Sequence, residues 1–192
     1  MPLYEIVGTM LKIAWVGFVL YWVVSAFFTG RVEKRQSASG RALTIILGTI
    51  PFVLLFTGVP HWGALLRRFV PDTRAVALAG VAITYAGLAL AVWARIVLGR
   101  NWSAAVTIKR DHRLISSGPY SVVRHPIYSG LLLALLGTAL DVGQLRALVA
   151  VGMAFMIWLV KSRTEERFMI ERFGEEYEDY RRRTRALVPF VF

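Results

Sequence analysis

A chain of 192 residues with no cysteine fits one domain, and it excludes a disulfide framework, a thiolate nucleophile and a cysteine-ligated metal. Its 56% hydrophobic content and mean hydropathy of +0.55 point to a membrane. The formal net charge of +11 raises nucleic-acid binding, which the placement of the charges then sets aside.

Ile6 to Phe28 is the first apolar run, broken only by Lys12 and long enough to cross a bilayer. Its apolar core is too long for a cleavable signal, and more spans follow. A loop of small and charged residues, "TGRVEKRQSASGR", leads to a shorter run, Ala42 to Val59. In the next loop, "GVPHWGALLRRFVPDTR", His61 and Trp62 suit the aromatic belt at a membrane interface. Val76 to Leu98 is long, with Arg95 near its end.

From Leu98 the character changes. "SAAVTIKRDHRLI" has no helical stripe, and "SSGP" signals a turn. Pro126 fits the first turn of a helix and disfavours helix before it. Two shorter runs follow, Ile127 to Leu140 and Ala147 to Val160, joined by "DVGQLR" and read as a hairpin. Beyond Lys161, the residues Met169, Phe173, Tyr177 and Tyr180 recur at helical spacing, predicting an amphipathic helix kinked at Gly174. The fold class is therefore all-α: a polytopic integral membrane protein with about five transmembrane helices.

Five crossings sort the basic residues. Loop 30–41, loop 99–126 and the tail from Lys161 carry four, five and eight Lys and Arg, while the opposite side carries five. Seventeen against five predicts an external N-terminus and a cytoplasmic C-terminus. The basic charge then reports orientation and nearby anionic headgroups, with no nucleic-acid partner. Polar residues become dense only after Arg95. Residues 1–98 read as membrane scaffold and 99–192 as the catalytic half of a single fold unit.

Three polar clusters should face one compartment: "KRDHRLI" with "GPY", then "RHPIY", then "KSRTEE". Carboxylates and aromatic faces attract a cation, and arginine with backbone N–H groups binds a carboxylate, so a zwitterion with an aromatic base suits the set. Each piece also has a plain reading. Arg124 fits a residue snorkelling to headgroups, and Lys161 with Glu165 fits an exposed i,i+4 ion pair. His125 fits a cap, and Tyr120 and Tyr128 fit a membrane interface. No metal site is predicted, since His112 and His125 lack a ligand spacing and His61 is on the other side.

The ordered set "DHRLI", "GPY", "RHPIY", "EE" and "FGEEY", within about residues 98 to 190, resembles the isoprenylcysteine carboxyl methyltransferase family and its wider phospholipid methyltransferase relatives. The resemblance implies an integral membrane methyltransferase that uses S-adenosyl-L-methionine, opens to the cytoplasm, and takes a lipidic or prenylated substrate sideways from the bilayer. It implies cofactor binding by His112, Arg113, Leu114, Ile115, Tyr120, His125, Pro126, Ile127, Tyr128 and Glu165, with Glu166 as a second candidate. The family's substrate-handling basic residue, usually arginine, falls here on Lys161, with Arg163 two residues on. Lysine lacks the bidentate fork of arginine. A carboxylate acceptor needs orientation and no base, whereas an amine must first lose a proton. The competing readings are a phospholipid amine methyltransferase, an NADPH-dependent reductase of the sterol-reductase type, and a non-enzymatic membrane protein. Pro126 is expected to free the turn before it, so that backbone, His125 and Tyr128 meet a ligand held by Glu165.

Overall fold

The structure, a computed structural model, describes residues 3–28, 32–35, 38–57, 59, 63–99, 102, 107–109 and 114–189. The apolar runs are helical because only a helix satisfies every backbone group of a single segment in hydrocarbon. In chain order the elements are α1 (Leu3–Ala26), β1 (Val32–Arg35), α2 (Ala38–Phe56), α3 (Arg74–Leu98), β2 (Thr107–Lys109), a 3-10 turn (Gly118–Ser121), α4 (Pro126–Val142), α5 (Leu145–Phe173) and α6 (Glu175–Arg183). By length and composition α1 from Glu5, α3 and α5 are long and apolar enough to cross a membrane. The apolar part of α2 (Ile46–Phe56) and α4 are shorter.

Small residues decide the main packing. Gly80, Thr84, Gly87 and Ala91 on α3 face Gly130, Ala134 and Gly137 on α4 at four- and three-residue spacing. A Cβ added at Gly130 would lie 2.6 Å from the Gly87 carbonyl oxygen and 2.7 Å from the Ala91 nitrogen. The two backbones therefore touch, as small-residue stripes permit in membranes. Thr138 on α4 fastens a third helix: Trp15 Nε1 of α1 donates to its hydroxyl at 3.0 Å, and Thr84 lies 3.3 Å from the same oxygen. Beyond this, α1 packs on α3 and α2 packs on α5.

Contacts at the helix ends show how the chain alternates. At one end, Phe69 and Leu145 amides bond the Gly143 and Arg67 carbonyls, and Arg146 binds the carbonyls of Leu54 and Leu55. At the other, Arg95 ties the end of α3 to the end of α1, donating to Ser25 O at 2.6 Å. That second end also holds the 3-10 turn, the start of α4, the end of α5 and all of α6. Arg67, Arg68 and Arg146 thus sit opposite the basic tail, as the charge count requires.

Two expectations change. The two short strands pair antiparallel, so residues 32–35 of the first loop are joined by backbone bonds to segment 107–109, where an all-helical reading expects no strand. The fifth helix, as expected, runs on past its apolar core, unbroken from Leu145 through Phe173. Gly174, at φ 53°, ends that helix rather than kinking it, and α6 starts afresh. His61 and Trp62 lie outside the described residues.

Candidate active site

The turn before α4 is built from Gly and Pro. Gly118 adopts φ 60° and Pro119 opens the 3-10 turn, which buries Tyr120. The Tyr120 carbonyl accepts from the Tyr180 hydroxyl at 2.7 Å, so α6 is locked onto this turn. Arg124 and His125 follow in non-helical backbone, His125 at φ −125° and ψ 59°, and Pro126 takes the first helical position. Their amides are not left for a ligand. Arg124 N–H bonds Arg185 O at 2.7 Å and His125 N–H bonds Ala186 O at 3.0 Å. The expected free backbone donors at these two positions are therefore taken by the C-terminal segment, which adds a short parallel bridge at Val123.

Two carboxylates on α5 hold the turn's side chains. Glu166 Oε1 accepts from Arg124 Nε at 2.7 Å and lies 3.3 Å from His125 Nε2. Glu166 Oε2 lies 3.5 Å from Arg181 Nε of α6. Glu165 accepts from the Tyr128 hydroxyl at 2.6 Å, lies 3.3 Å from His125 Nδ1, and has the Lys161 ammonium at 3.9 Å. A carboxylate faces each ring nitrogen of His125, an arrangement that favours the imidazolium, the form that donates from both. Burial alone would lower its pKa, but the hydrogen bonds and charges of Glu165 and Glu166 outweigh burial and raise it. Burial pushes the Tyr180 hydroxyl up to about 12, and it raises Tyr120 and Tyr177 as well.

Aromatic rings extend the wall inward. His125 stacks on Tyr128 with centroids 5.6 Å apart, and Tyr128 stacks on Trp158 at 5.8 Å. Lys161 sits over the Tyr128 ring at 5.4 Å. These groups line a cavity of about 850 Å³ that continues as an apolar slot between α1 and α2.

Leu114, Ile115, Tyr120, His125, Ile127, Tyr128, Lys161 and Glu165 all reach this cavity. Pro126 is buried behind it, and Glu166 is spent on Arg124, His125 and Arg181 rather than lining it. Arg163 is exposed and does not line it, because two residues along a helix turn the side chain far from Lys161. His112 and Arg113 lie outside the described residues. Two plain readings are corrected. Arg124 is 11% exposed and paired inside the site rather than snorkelling, and Lys161 with Glu165 is a mostly covered pair. Trp158 and the apolar α1 and α2 residues of the wall had no polar signal in the sequence to mark them, whereas Lys12 was seen only as a charge within the first run and Tyr177 and Tyr180 only as part of a helical stripe.

A family model described as phospholipid methyltransferase matches residues 75–176. A probable protein-S-isoprenylcysteine O-methyltransferase of Oryza sativa subsp. japonica is 31% identical over 176 residues, covering 88% of this chain and 88% of that protein. The chain belongs to the isoprenylcysteine carboxyl methyltransferase family. Protein-S-isoprenylcysteine O-methyltransferase B of Arabidopsis thaliana is 32% identical over 117 residues, 58% of each chain. The fold resembles a solved structure titled as the eukaryotic intramembrane Ras methyltransferase, isoprenylcysteine carboxyl methyltransferase, with a TM-score of 0.59 at 21% identity. That match covers 81% of this chain and 54% of the solved one, so the chain spans little more than half the length of these last two family members.

Proposed function

We propose that the protein is an integral membrane methyltransferase that uses S-adenosyl-L-methionine to methylate the carboxylate of a prenylcysteine-like or other lipidic acceptor. The observation that carries this reading is the pairing of a cofactor-like polar end with an apolar slot in one cavity. At the polar end one carboxylate, Glu165, stands among the rings of Tyr120, Tyr128, Trp158 and Tyr180, with Leu114 and Ile115 beside them. That donor set fits an amino-acid ammonium, a sulfonium and an adenine ring.

Glu165 and Tyr128 would hold the cofactor's ammonium end, with Leu114, Ile115 and Tyr120 against its base. When bound, S-adenosylmethionine supplies an electrophilic methyl group on a positively charged sulfur. The protein's own task is alignment: Lys161 orients the acceptor carboxylate beside the Tyr128 and Trp158 faces, and the apolar wall excludes water. No base is needed, because a carboxylate arrives ionised. Among the described titratable groups of the turn and α6, His125 holds both its protons and the raised tyrosines hold theirs. A phospholipid amine would have to shed a proton here without them, which favours the carboxylate.

In this reading that end faces the cytoplasm, with five crossings and the N-terminus outside, and the seventeen-to-five distribution of Lys and Arg supports it. Equilibrium dialysis of the purified protein tests the cofactor directly. Labelled S-adenosylmethionine should bind saturably and resist competition by NADPH. Retention of NADPH with no binding of S-adenosylmethionine would favour a reductase.

A further inference from the structure

The helices contribute unequally to the cavity. Near the polar end α4 and α5 supply Tyr128, Leu131, Trp158 and Lys161, and deeper turns of both helices are absent from the wall. The α1 and α2 walls continue: from Trp22 back to Lys12 on α1, and from Gly48 to Phe56 on α2. Ten residues of helix between Trp22 and Lys12 make this slot about 15 Å long. Val16, Val19 and Leu20 line it while 53–61% exposed, so its flank opens to the surrounding hydrocarbon.

An aromatic block sits about one turn short of its deep end, where Lys12 lines the wall. Trp15 meets Phe52 edge-on at 5.8 Å and Phe56 at 5.6 Å, and the two phenylalanines stack at 6.4 Å. The indole cannot swing aside without losing its hydrogen bond to Thr138, whose hydroxyl in turn donates to Ala134 O at 2.9 Å. Halfway along, Gly48 leaves open space: a Cβ there would meet nothing within 4 Å. The slot is thus continuous with the polar site, wide at Gly48, and blocked by rings held in place.

We propose that Trp15, Phe52 and Phe56 set the longest hydrocarbon chain the protein accepts, the chain lying between α1 and α2 past Gly48. This rests on the methyltransferase reading only in taking that chain to be the acceptor's. Each methylene buried in the slot should tighten binding about fourfold until the chain meets the rings, after which affinity levels off.

The probe is a series of N-acetyl-S-alkylcysteines of rising straight-chain length, their affinities measured for the purified protein at one detergent concentration. Phe56→Ala and Trp15→Ala should move the plateau to longer chains, and Gly48→Phe should move it to shorter ones. Trp15 is a core residue, but Phe56 is half-exposed and Gly48 faces open space, so the last two variants keep their fold. For a chain one methylene beyond the parent's plateau, Phe56→Ala should gain about fourfold over the parent, the step set by one more buried methylene. A plateau at the same length in Phe56→Ala and Gly48→Phe, or no dependence on chain length in the parent, overturns the proposal. Labelled methyl transfer on the same preparations separates the two readings. Transfer with an unmoved plateau sinks the chain-length assignment alone, and a moved plateau without transfer to any acceptor sinks the methyltransferase reading alone.

Discussion

The Glu165 carboxylate lies against a phenol, an imidazolium and an ammonium, and still reaches the cavity. Removing its charge removes the one anion on the described wall that can meet the cofactor's ammonium. A charge-assisted contact of this kind is worth about 1.5–3 kcal/mol, or tenfold or more in affinity. Glu165→Gln should therefore bind S-adenosylmethionine at least tenfold more weakly by calorimetry while keeping its helical content. Lys161→Ala should lower turnover or raise the acceptor KM with the cofactor affinity much less changed. His125 adds a pH dependence. Its partners are Glu165 and Glu166, with the Tyr128 ring stacked on it and Arg124 sharing Glu166. A histidine pKa raised above its ordinary 6.5 contributes stability that is full below that pH and lost as pH rises through the folded-state value. The thermal unfolding midpoint in detergent should fall across that window in the parent and fall less in His125→Gln. An equal slope in both proteins would show that His125 does not enter folding as an imidazolium.

At the level of elements, the α3–α4 contact is the strongest constraint. Gly130→Leu would drive a side chain into the α3 backbone, and overpacking of this kind costs about 1–3 kcal/mol. For a chain of this size that is a loss of several degrees in the unfolding midpoint. Gly17→Leu is the control, because a Cβ there meets nothing within 4 Å and its midpoint should hardly move. Equal losses in the two variants would mean that helix propensity, not close approach, governs these glycines. The helices themselves were legible in the sequence, since apolar runs in hydrocarbon have few alternatives. So was Pro126 as a helix start. What was not legible came from partners far along the chain. Nothing in "VEKR" announces pairing with "TIK", and nothing in Arg185 or Ala186 announces that their carbonyls occupy the amides of Arg124 and His125. The site residues of the last half were readable because they are polar in apolar surroundings. Trp15 and Phe52 were not, because a cavity-lining ring and a lipid-facing ring look alike in sequence.

For the molecule as a whole, the alternation of helix ends gathers residues 114–126, the end of α5 and α6 on one side, and Arg67, Arg68 and Arg146 on the other. The proposed orientation follows from that division. Since the chain has no cysteine, single introduced cysteines at Glu176 and at Thr73 report it cleanly. In right-side-out vesicles an impermeant thiol reagent should label the Thr73 position and spare the Glu176 position, and inverted vesicles should give the reverse. Labelling of the Glu176 position from outside would place the site on the external face. The central claim is that one cavity joins a bound S-adenosylmethionine to the carboxylate of a lipidic acceptor. The most direct measurement is transfer of a labelled methyl group by the purified protein in lipid, with S-farnesyl-N-acetylcysteine and phosphatidylethanolamine offered side by side. The account predicts label on the farnesylated acceptor, released as volatile methanol by mild base, and its loss in Glu165→Gln. Base-stable label on phosphatidylethanolamine, with none on the carboxylate acceptor, would contradict it.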